Sequence, residues 1–189
     1  MLAFVVPLGA LAEAAGTAPS TRERTACGSE LWSLKTLSDQ QRRRVSLRPR
    51  DTTVRAINAR RMPSVTPMRR DSFELQVWRV RAQIVQYKLE DDGDIHLILF
   101  DGGAYMIAEM PRASCLPQTT RARRAIAEAR RLFEQRCGRA EFVWKDLGAV
   151  AFVSGVGFWD FPHGQSGHAR NFAELHPVTG LRPLSGCGT

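Results

Sequence analysis

The sequence predicts a mainly β protein with one α-helix, organised as an OB-like five-stranded small barrel (β-β-β-α-β-β) with an N-terminal extended arm. Between residues 73 and 89 apolar side chains mostly alternate with polar ones, which is the pattern of a half-buried strand. The segments that follow read strand, strand, helix, strand and strand. This order, with a long first strand and a helix between the third and fourth, is that of the oligonucleotide/oligosaccharide-binding (OB) barrel.

Turn residues and helical spacing set the bounds of the middle elements. The second and third strands are predicted over 95–100 and 104–110, because glycine-containing turns precede both. Apolar residues at helical spacing then predict a helix between an N-cap at Thr119-Thr120 and a C-cap at Gly138. The other face of this helix is predicted to be solvated, because it carries Arg121, Arg123, Arg124, Arg130, Arg131 and Arg136.

The last two strands flank a polar, glycine-rich loop. The fourth strand is predicted over 149–159, where Gly155 and Gly157 indicate a bulge or a sharp bend. The loop covers 160–171, and the fifth strand is predicted over 172–178.

Charge divides the chain into two parts. The 189 residues carry 27 Lys and Arg against 19 Asp and Glu, a net charge of +8, and the composition excludes collagen-like, coiled-coil and wholly disordered classes. Residues 1–70 hold 13 basic and 5 acidic residues, whereas residues 71–189 hold 14 of each. We therefore interpret residues 15–70 as a basic extended arm with one short helix near 53–59, and residues 71–189 as the barrel domain.

The N-terminus predicts export. Residues 1–12 are nearly all apolar and small residues follow at the spacing of a cleavage site, so residues 1–14 are interpreted as a signal peptide. No Lys or Arg precedes this run, and the alternative is a buried N-terminal helix. No apolar run has the length of roughly 18–20 residues that spans a bilayer. The predicted location is secreted, or periplasmic in the cell envelope.

The cysteines agree with export. Cys27, Cys115, Cys137 and Cys187 are an even number, which in an exported chain predicts two disulfides. The pairing of Cys115 with Cys137 is disfavoured, because a helix rising about 1.5 Å per residue fills most of the interval. We favour Cys27–Cys115 with Cys137–Cys187; the alternative is four buried free thiols in a cytosolic protein.

The side chains that could carry chemistry fall in or beside two loops, 90–94 and 160–171. In OB barrels the loops joining strands 1–2 and 4–5, together with the strand 2–3 face, usually meet the ligand. We assign tentative catalytic roles to His163, Glu174 and His176. We assign ligand-binding roles to Asp94, His96, Trp159, Gln165 and Asn171, and tentative metal-binding roles to Asp94 and Glu109.

Carboxylates beside imidazoles have two chemical uses. They suit a divalent cation that polarises a phosphate, and a neutral imidazole near a carboxylate also serves as a general base. The alternative is structural, with Asp92 and Asp94 as turn residues and the loop histidines closing hydrogen bonds. No His or Cys spacing matches a strong metal motif, so the cofactor is unknown and a divalent cation is the candidate.

Several segments between residues 27 and 178 resemble a family of secreted bacterial proteins with no assigned activity. The most specific of these read GVGFWDFPHGQ from Gly155 and ELHPV from Glu174, and Tyr87–Glu90, Asp94–Leu97 and Ile107–Pro111 add to them. The family pattern falls on His163, Gln165, Asn171, Glu174 and His176, whereas the position of His168 is usually not histidine. The family's cysteines match Cys27 and Cys115 more often than the other two, which favours the chosen pairing.

A weaker resemblance is to the staphylococcal-type thermonucleases, which are OB barrels. Their Asp-Gly-Asp turn and a later acidic residue correspond to Asp92-Gly93-Asp94 and Glu109, and the resemblance implies calcium at these acids. The arginine that this family carries in its third strand is missing from Ala104–Ala108, which argues against nuclease activity by that mechanism.

Three functions are compatible with these patterns. The first is a secreted OB-fold-like binding protein whose polar His/Asn/Glu loop faces an anionic partner, nucleic acid or an envelope polymer, with Tyr105, Phe158 or Trp159 as a stacking platform. The alternative is an extracellular metal-dependent phosphodiesterase or nuclease, in which basic residues attract the phosphate backbone. The third is a purely structural protein. The sequence predicts no oligomeric state.

Overall fold

The structure, a computed structural model, describes residues 27–69 and 71–188. The signal peptide predicted over 1–14 and the first part of the predicted arm lie outside these residues. The elements in chain order are α1 (Trp32–Lys35), a 3₁₀ turn (Arg42–Arg44), β1 (Ser46–Thr52), α2 (Val54–Asn58), β2 (Gln76–Leu89), β3 (Ile95–Asp101), β4 (Ala104–Met110), a 3₁₀ turn (Ala113–Cys115), α3 (Arg123–Cys137), β5 (Lys145–Trp159) and β6 (Ala173–Ser185).

Six strands form one sheet that closes into a barrel. The strand order is β1-β2-β3-β4-β6-β5, and an additional pairing of β2 with β5 closes a ring of five strands. The pairs β1–β2 and β4–β6 are parallel, and the others are antiparallel. The ring follows the predicted order, with α3 between its third and fourth strands, so the predicted mainly β, OB-like barrel is confirmed.

The alternation in the long strand β2 explains why the sheet curls round a core. Val80, Ala82 and Ile84 are buried, while Arg81 and Gln83 between them face solvent. Side chains of successive residues point to opposite faces of a strand, so one face of β2 lines the barrel interior. The apolar residues of the other strands meet it there.

Strand β5 bends where its glycines lie, as predicted. Its pairing with β6 shifts register between Ser154 and Gly155 and again between Gly155 and Gly157. A Cβ atom on Gly157 would lie 2.2 Å from the carbonyl oxygen of Phe73, so only glycine fits at this crossing. The bend carries the end of β5 towards the polar loop over 160–171.

The segment that was predicted to be an extended arm contains helices and a strand instead. Residues 27–69 contain α1, β1 and α2, and β1 is a sixth strand paired in parallel with β2. The apolar residues here are sparse, but Leu34, Leu37, Val54 and Ile57 are at most 1% exposed. They share no single period because they pack from separate short segments: Leu34 and Leu37 from α1 and the turn after it, and Val54 and Ile57 from α2. The short helix predicted near 53–59 is confirmed as α2.

The bounds and exposed face of α3 also differ from the prediction. The helix begins after Ala122 in a left-handed conformation, with no side-chain cap, rather than at Thr119-Thr120. Arg130 is not solvated: it is 8% exposed and donates hydrogen bonds to the carbonyl oxygens of Gly93 and Met110, at 2.6 and 2.9 Å. These two contacts, with residues far away in the sequence, therefore bury an arginine that the helical pattern alone placed in solvent.

The last two strands are longer than predicted. Strand β5 begins at Lys145, and β6 runs on to Ser185, past the predicted end at residue 178. The extra residues of β6 pair with residues 150–154 in the middle of β5, which is why they remain extended.

Two disulfides fix the ends of the described chain. Cys27 is bonded to Cys115 and Cys137 to Cys187, which confirms the favoured pairing. Among the described residues, no helix has the length and apolar character needed to cross a membrane.

Candidate metal centre

Six acidic or imidazole side chains meet at one end of the barrel, and we call them the His/carboxylate centre. They are Glu90, Asp94, His96, Glu109, Glu174 and His176.

Strand pairing brings these residues together. His96 on β3 is the direct partner of Glu109 on β4, so the two side chains lie on the same face. Glu174 and Leu175 on β6 pair with β4, which brings His176 alongside Glu109. Glu174 and His176 are two residues apart and therefore share a face.

The centre is closed off from solvent except on one side. Asp94, His96 and His176 are fully buried, and Glu109 and Glu174 are each 3% exposed. Glu90 is the partly exposed member, with a quarter of its side chain accessible. Charged groups at such depth require partners of opposite charge.

The ring of His96 is oriented by the polar loop. Its Nε2 lies 3.3 Å from the carbonyl oxygen of Ser166, which is an acceptor, so Nε2 carries the hydrogen and Nδ1 of the neutral ring carries the lone pair. Nδ1 lies 3.0 Å from Glu109 Oε1 and 3.3 Å from Glu90 Oε1. The lone pair on Nδ1 of His96 thus faces the carboxylates of Glu109 and Glu90.

The ring of His176 repeats this arrangement. Its Nε2 donates to Asp94 Oδ2 at 3.2 Å, which leaves the lone pair of the neutral ring on Nδ1. Nδ1 lies 3.2 Å from Glu109 Oε2 and 3.7 Å from Glu174 Oε2. An acceptor that orients one imidazole nitrogen while the other faces carboxylates is the usual surrounding of a metal-binding histidine.

The facing atoms are close but are not aligned as hydrogen bonds. Among the described residues, the buried atoms with no hydrogen-bond partner include Asp94 Oδ1, His96 Nδ1, Glu109 Oε1 and His176 Nδ1. Ligands about 2.0–2.2 Å from one ion lie about 3.0–3.5 Å from each other, close to the distances observed here. The arrangement can therefore hold a cation between atoms that do not point at one another.

Without a metal, protons would balance the charge of the centre. Burial lowers the pKa of His96, but Glu109 and Glu90 outweigh burial and raise it to about 9. Burial likewise lowers the pKa of His176, and Glu109, Asp94 and Glu174 raise it to about 9. Burial raises the pKa of Glu109, yet the two histidines bring it down to about 2.

The remaining acids respond mainly to burial. Burial raises the pKa of Asp94 to about 6, although its bond to His176 acts in the other direction. Burial also raises the pKa of Glu174.

An open cleft of about 410 Å³ reaches the centre at Glu109 and Glu90. A second cavity of about 300 Å³ reaches His96, and the two cavities share Glu90, His163 and Gln165. The predicted residues His163 and Gln165 therefore lie where a ligand would approach the centre.

Lys35 on α1 brings a positive charge to the same cleft. It is 9% exposed; burial lowers its pKa, but Glu109, Asp160 and Glu174 outweigh burial and raise it. Lys35 is therefore a charged ammonium beside the acids.

Two predicted ligand-binding residues have structural positions instead. Asn171 donates to the carbonyl oxygens of Ile57 and Arg60, both at 2.9 Å, and so fastens the loop to α2 and the residues after it. Trp159 is 2% exposed and donates to Asp71 Oδ2, so it cannot act as a stacking platform. Of the other two aromatic candidates, Phe158 is buried and Tyr105 is 47% exposed.

Sequence reasoning missed Glu90 and Lys35 as members of the site. Glu90 directly follows β2 and is the first residue of the loop 90–94 that was singled out, so its position was a usable signal. Lys35 lies in a segment read as extended, and its approach to Glu109 depends on how α1 packs on the barrel. Local sequence holds no sign of that contact.

Comparison with known proteins adds little to this picture. No protein-family profile matches the chain, and no curated protein sequence matches it. Among solved structures the chain resembles a putative aspartyl-tRNA synthetase from Leishmania major Friedlin, with a TM-score of 0.43 and 12% sequence identity. The match covers 75% of this chain and 22% of that chain, and a likeness of this size says nothing about what this chain does.

Proposed function

We propose that the protein binds a divalent transition-metal ion in the His/carboxylate centre and, through that ion, an anionic ligand in the cleft. The observation that carries the proposal is the orientation of the two imidazoles. In His96 and His176 an acceptor holds Nε2, and the buried Nδ1 faces the carboxylate of Glu109 without forming an aligned hydrogen bond.

The donor atoms favour one class of metal. Imidazole nitrogen together with carboxylate oxygen suits Zn²⁺, Mn²⁺ or Fe²⁺, whereas Ca²⁺ and Mg²⁺ are bound by oxygen ligands. We therefore place a transition metal here, rather than the calcium that the thermonuclease resemblance implies.

The charge of the cleft makes the ligand depend on the metal. Glu30, Glu90, Asp91 and Asp92 line the opening, against the single lysine Lys35 among the cleft residues described. Such a surface repels anions, and a bound cation supplies the positive charge that holds and polarises an anionic oxygen. We propose a phosphate-bearing polymer, nucleic acid or an envelope component, as the ligand.

The two disulfides support a location outside the cytosol. Disulfides persist in oxidising compartments and are rare elsewhere. We place the protein in the extracellular space or the periplasm, with residues 1–14 as its signal peptide.

The test begins with chelator-stripped protein to which Zn²⁺ or Mn²⁺ is returned, with binding followed by calorimetry. We expect the wild type to bind the metal and His96→Ala to lose about tenfold or more in affinity. His168→Ala is the matched control, because His168 lies in the polar loop that contacts His96 but itself contacts Ala169 and Phe172. Absence of metal binding by folded wild-type protein would overturn the proposal.

The second step adds a single-stranded DNA oligonucleotide, with and without the metal. We expect retention of the oligonucleotide by the loaded protein and its loss after chelation. Equal retention in both states would show that the anion does not bind through the centre.

A second candidate, a metal-dependent phosphodiesterase, is favoured by His163. Its Nδ1 donates to the carbonyl oxygen of Phe161 at 2.6 Å, so the lone pair of the neutral ring is on Nε2, which lies 3.6 Å from Asp160 Oδ2; about a third of the side chain is accessible. An imidazole held in this way at the mouth of a cleft can take a proton from a reacting oxygen. Chelator-sensitive cleavage of the oligonucleotide that is lost in His163→Ala but kept in His168→Ala would support catalysis; metal-dependent retention without cleavage would exclude it.

A further inference from the structure

We propose that the His/carboxylate centre holds two divalent ions bridged by the carboxylate of Glu109, an inference that rests on the proposed metal-binding function. The starting observation is how the donors are grouped. Within the part of the chain that the structure describes, two sets of side chains each hold their donor atoms within 4.8 Å of one another. Glu90, His96 and Glu109 form the first set, and Asp94, Glu109 and His176 form the second.

The two sets divide the histidines between them. Donors held about 2.0–2.2 Å from one ion cannot be more than about 4.4 Å apart. Neither set contains both His96 and His176, and Glu109 is the member that they share. Two ion positions therefore use both imidazoles, whereas one position leaves an imidazole nitrogen buried and unpaired.

Glu109 has the geometry of a bridge. Its Oε1 lies 3.0 Å from Nδ1 of His96, and its Oε2 lies 3.2 Å from Nδ1 of His176. Each oxygen thus faces a different imidazole. A carboxylate that offers one oxygen to each of two ions holds them at the short separation of about 3.5–4 Å typical of two-metal sites.

Each ion position has one further carboxylate of its own. Glu90 Oε1 is 3.3 Å from Nδ1 of His96 in the first set. Asp94 completes the second set: its Oδ2 accepts from Nε2 of His176, and its buried Oδ1 has no hydrogen-bond partner. Glu90 and Asp94 can accordingly be altered one ion position at a time.

A paired centre narrows the chemistry of the ligand to a phosphoryl group. Two ions at this separation bind two oxygens of one tetrahedral anion, an arrangement that recurs in phosphatases and nucleases. The cleft opens onto Glu109 and Glu90, the bridge and the outermost ligand, so a phosphate can reach the ions from that side.

Metal content measured after dialysis of the full chain against Mn²⁺ or Zn²⁺ tests the pairing. We expect two ions per chain in the wild type and one ion in each of Glu90→Gln and Asp94→Asn. Glu128→Gln, an exposed glutamate of α3 paired with Arg131, is the control and is expected to keep two. One ion in the wild type overturns the pairing but leaves the proposed function intact, whereas none overturns both.

The bridging role of Glu109 is tested separately, by the electron paramagnetic resonance spectrum of the Mn²⁺-loaded protein. Two ions joined by Glu109 are expected to give a broadened, exchange-coupled spectrum, and Glu90→Gln is expected to restore the hyperfine pattern of an isolated ion. Glu90 is partly exposed, so this variant is expected to fold. Two bound ions with uncoupled spectra would overturn the bridging role of Glu109.

Discussion

Two histidines show how single atoms define the centre. In His96 and His176 one ring nitrogen is satisfied by a fixed acceptor, and the other is buried against carboxylate oxygens without an aligned hydrogen bond. A buried polar atom without a partner costs about 1–3 kcal/mol, so the folded chain keeps these atoms at a cost to stability. A cation or a proton between the atoms removes that cost.

The pH dependence of stability follows from these two imidazoles. In the metal-free protein, facing carboxylates raise the pKa of His96 and His176 from 6.5 to about 9 despite burial. The folded state then binds protons more tightly than the unfolded chain. Their stabilisation is complete below pH 6.5 and is lost as the pH rises through about 9. We expect the urea midpoint of chelated protein to fall over this range.

The comparison is made within the wild type, because removing the two histidines would also let the pKa of the buried Glu109 rise from the value of about 2 to which they bring it. Metal-loaded protein should show the opposite trend, because protons and metal compete for the same nitrogens. A flat profile of the chelated wild type would contradict the predicted protonation.

Arg69 is a second residue whose partner decides its effect on stability. It is 2% exposed, lies 3.1 Å from Asp39 Oδ2, and donates to the carbonyl oxygens of Leu34 and Glu74. Arg69→Met would leave Asp39 buried without its cation, so we expect a loss of about 3–5 kcal/mol in the free energy of unfolding.

Urea unfolding at neutral pH measures this loss. Arg79→Met is the matched control, because Arg79 pairs with Asp51 at the surface and its removal should change stability little. If both variants unfold at the same urea concentration, Arg69 does not have the role assigned to it.

At the scale of elements, the crossing of β5 over the chain at Phe73 depends on Gly157. Its Cβ position lies 2.2 Å from a carbonyl oxygen, and the backbone cannot shift without disturbing the pairing of β5. We expect Gly157→Ala to lower the free energy of unfolding by about 3 kcal/mol or more.

Gly180→Ala is the comparison for this measurement. Its Cβ atom would lie 3.5 Å from Ser154 Cβ, which is an ordinary contact, and we expect a change below about 1 kcal/mol. Thermal or urea unfolding of the two variants gives the difference. Similar stabilities would show that β5 can move away from Phe73 at little cost.

Elements whose apolar residues recur with the period of a strand or a helix could be predicted from the sequence, and elements without such a period could not. The alternation in β2, the turns after it and the apolar spacing of α3 are local signals; the strand and the turns lie where they were expected, and α3 ends at the expected Gly138 but begins later than expected. Strand β1 has no such signal, because nearly all its residues are exposed and its pairing with β2 alone makes it a strand.

The candidate site follows the same rule. His96, Glu109 and His176 could be selected because they lie on or beside predicted strands near the ligand-binding loops. Trp159 was selected by residue type and Asn171 by its place in the polar loop and the family pattern, and only tertiary contacts show that they support the core and the loop. The contact of Lys35 with the acids likewise depends on packing across the molecule.

At the scale of the whole molecule, the disulfide Cys27–Cys115 connects stability to the site. It closes a span of 88 residues, and Cys27 and Gly28 line the cleft beside Glu109. We expect Cys27→Ser/Cys115→Ser to lose about 2–5 kcal/mol in unfolding free energy. We also expect it to bind metal more weakly, because one wall of the cleft is released.

The second disulfide provides the control for this effect. Cys137→Ser/Cys187→Ser should also be less stable, but neither cysteine lines the cleft, so metal affinity should be unchanged. Unfolding curves combined with metal titration separate the two outcomes. Equal metal affinity in both double variants would contradict a role for Cys27 in shaping the cleft.

The charged side chains that make up the net charge of +8 are distributed differently in the structure from what the sequence implied. Several arginines of the basic segment, of α3 and of the turn before α3 serve the fold: Arg69 and Arg130 are buried, and Arg121 donates to the carbonyl oxygens of Arg42, Arg43 and Val45. The acids, by contrast, are concentrated at the centre. The molecule therefore combines a basic exterior with an acidic cleft.

The position of β1 has a consequence for how copies of the molecule meet. In the described sheet β1 pairs on one side only, with β2, so its other side offers unpaired backbone groups of the kind that join proteins edge to edge. Pro49 removes one backbone donor from this strand, and Arg48 and Arg50 on either side place positive charge there. Two such strands would repel each other on approach, so we expect the protein to stay dispersed at concentrations where a neutral edge would seed aggregates.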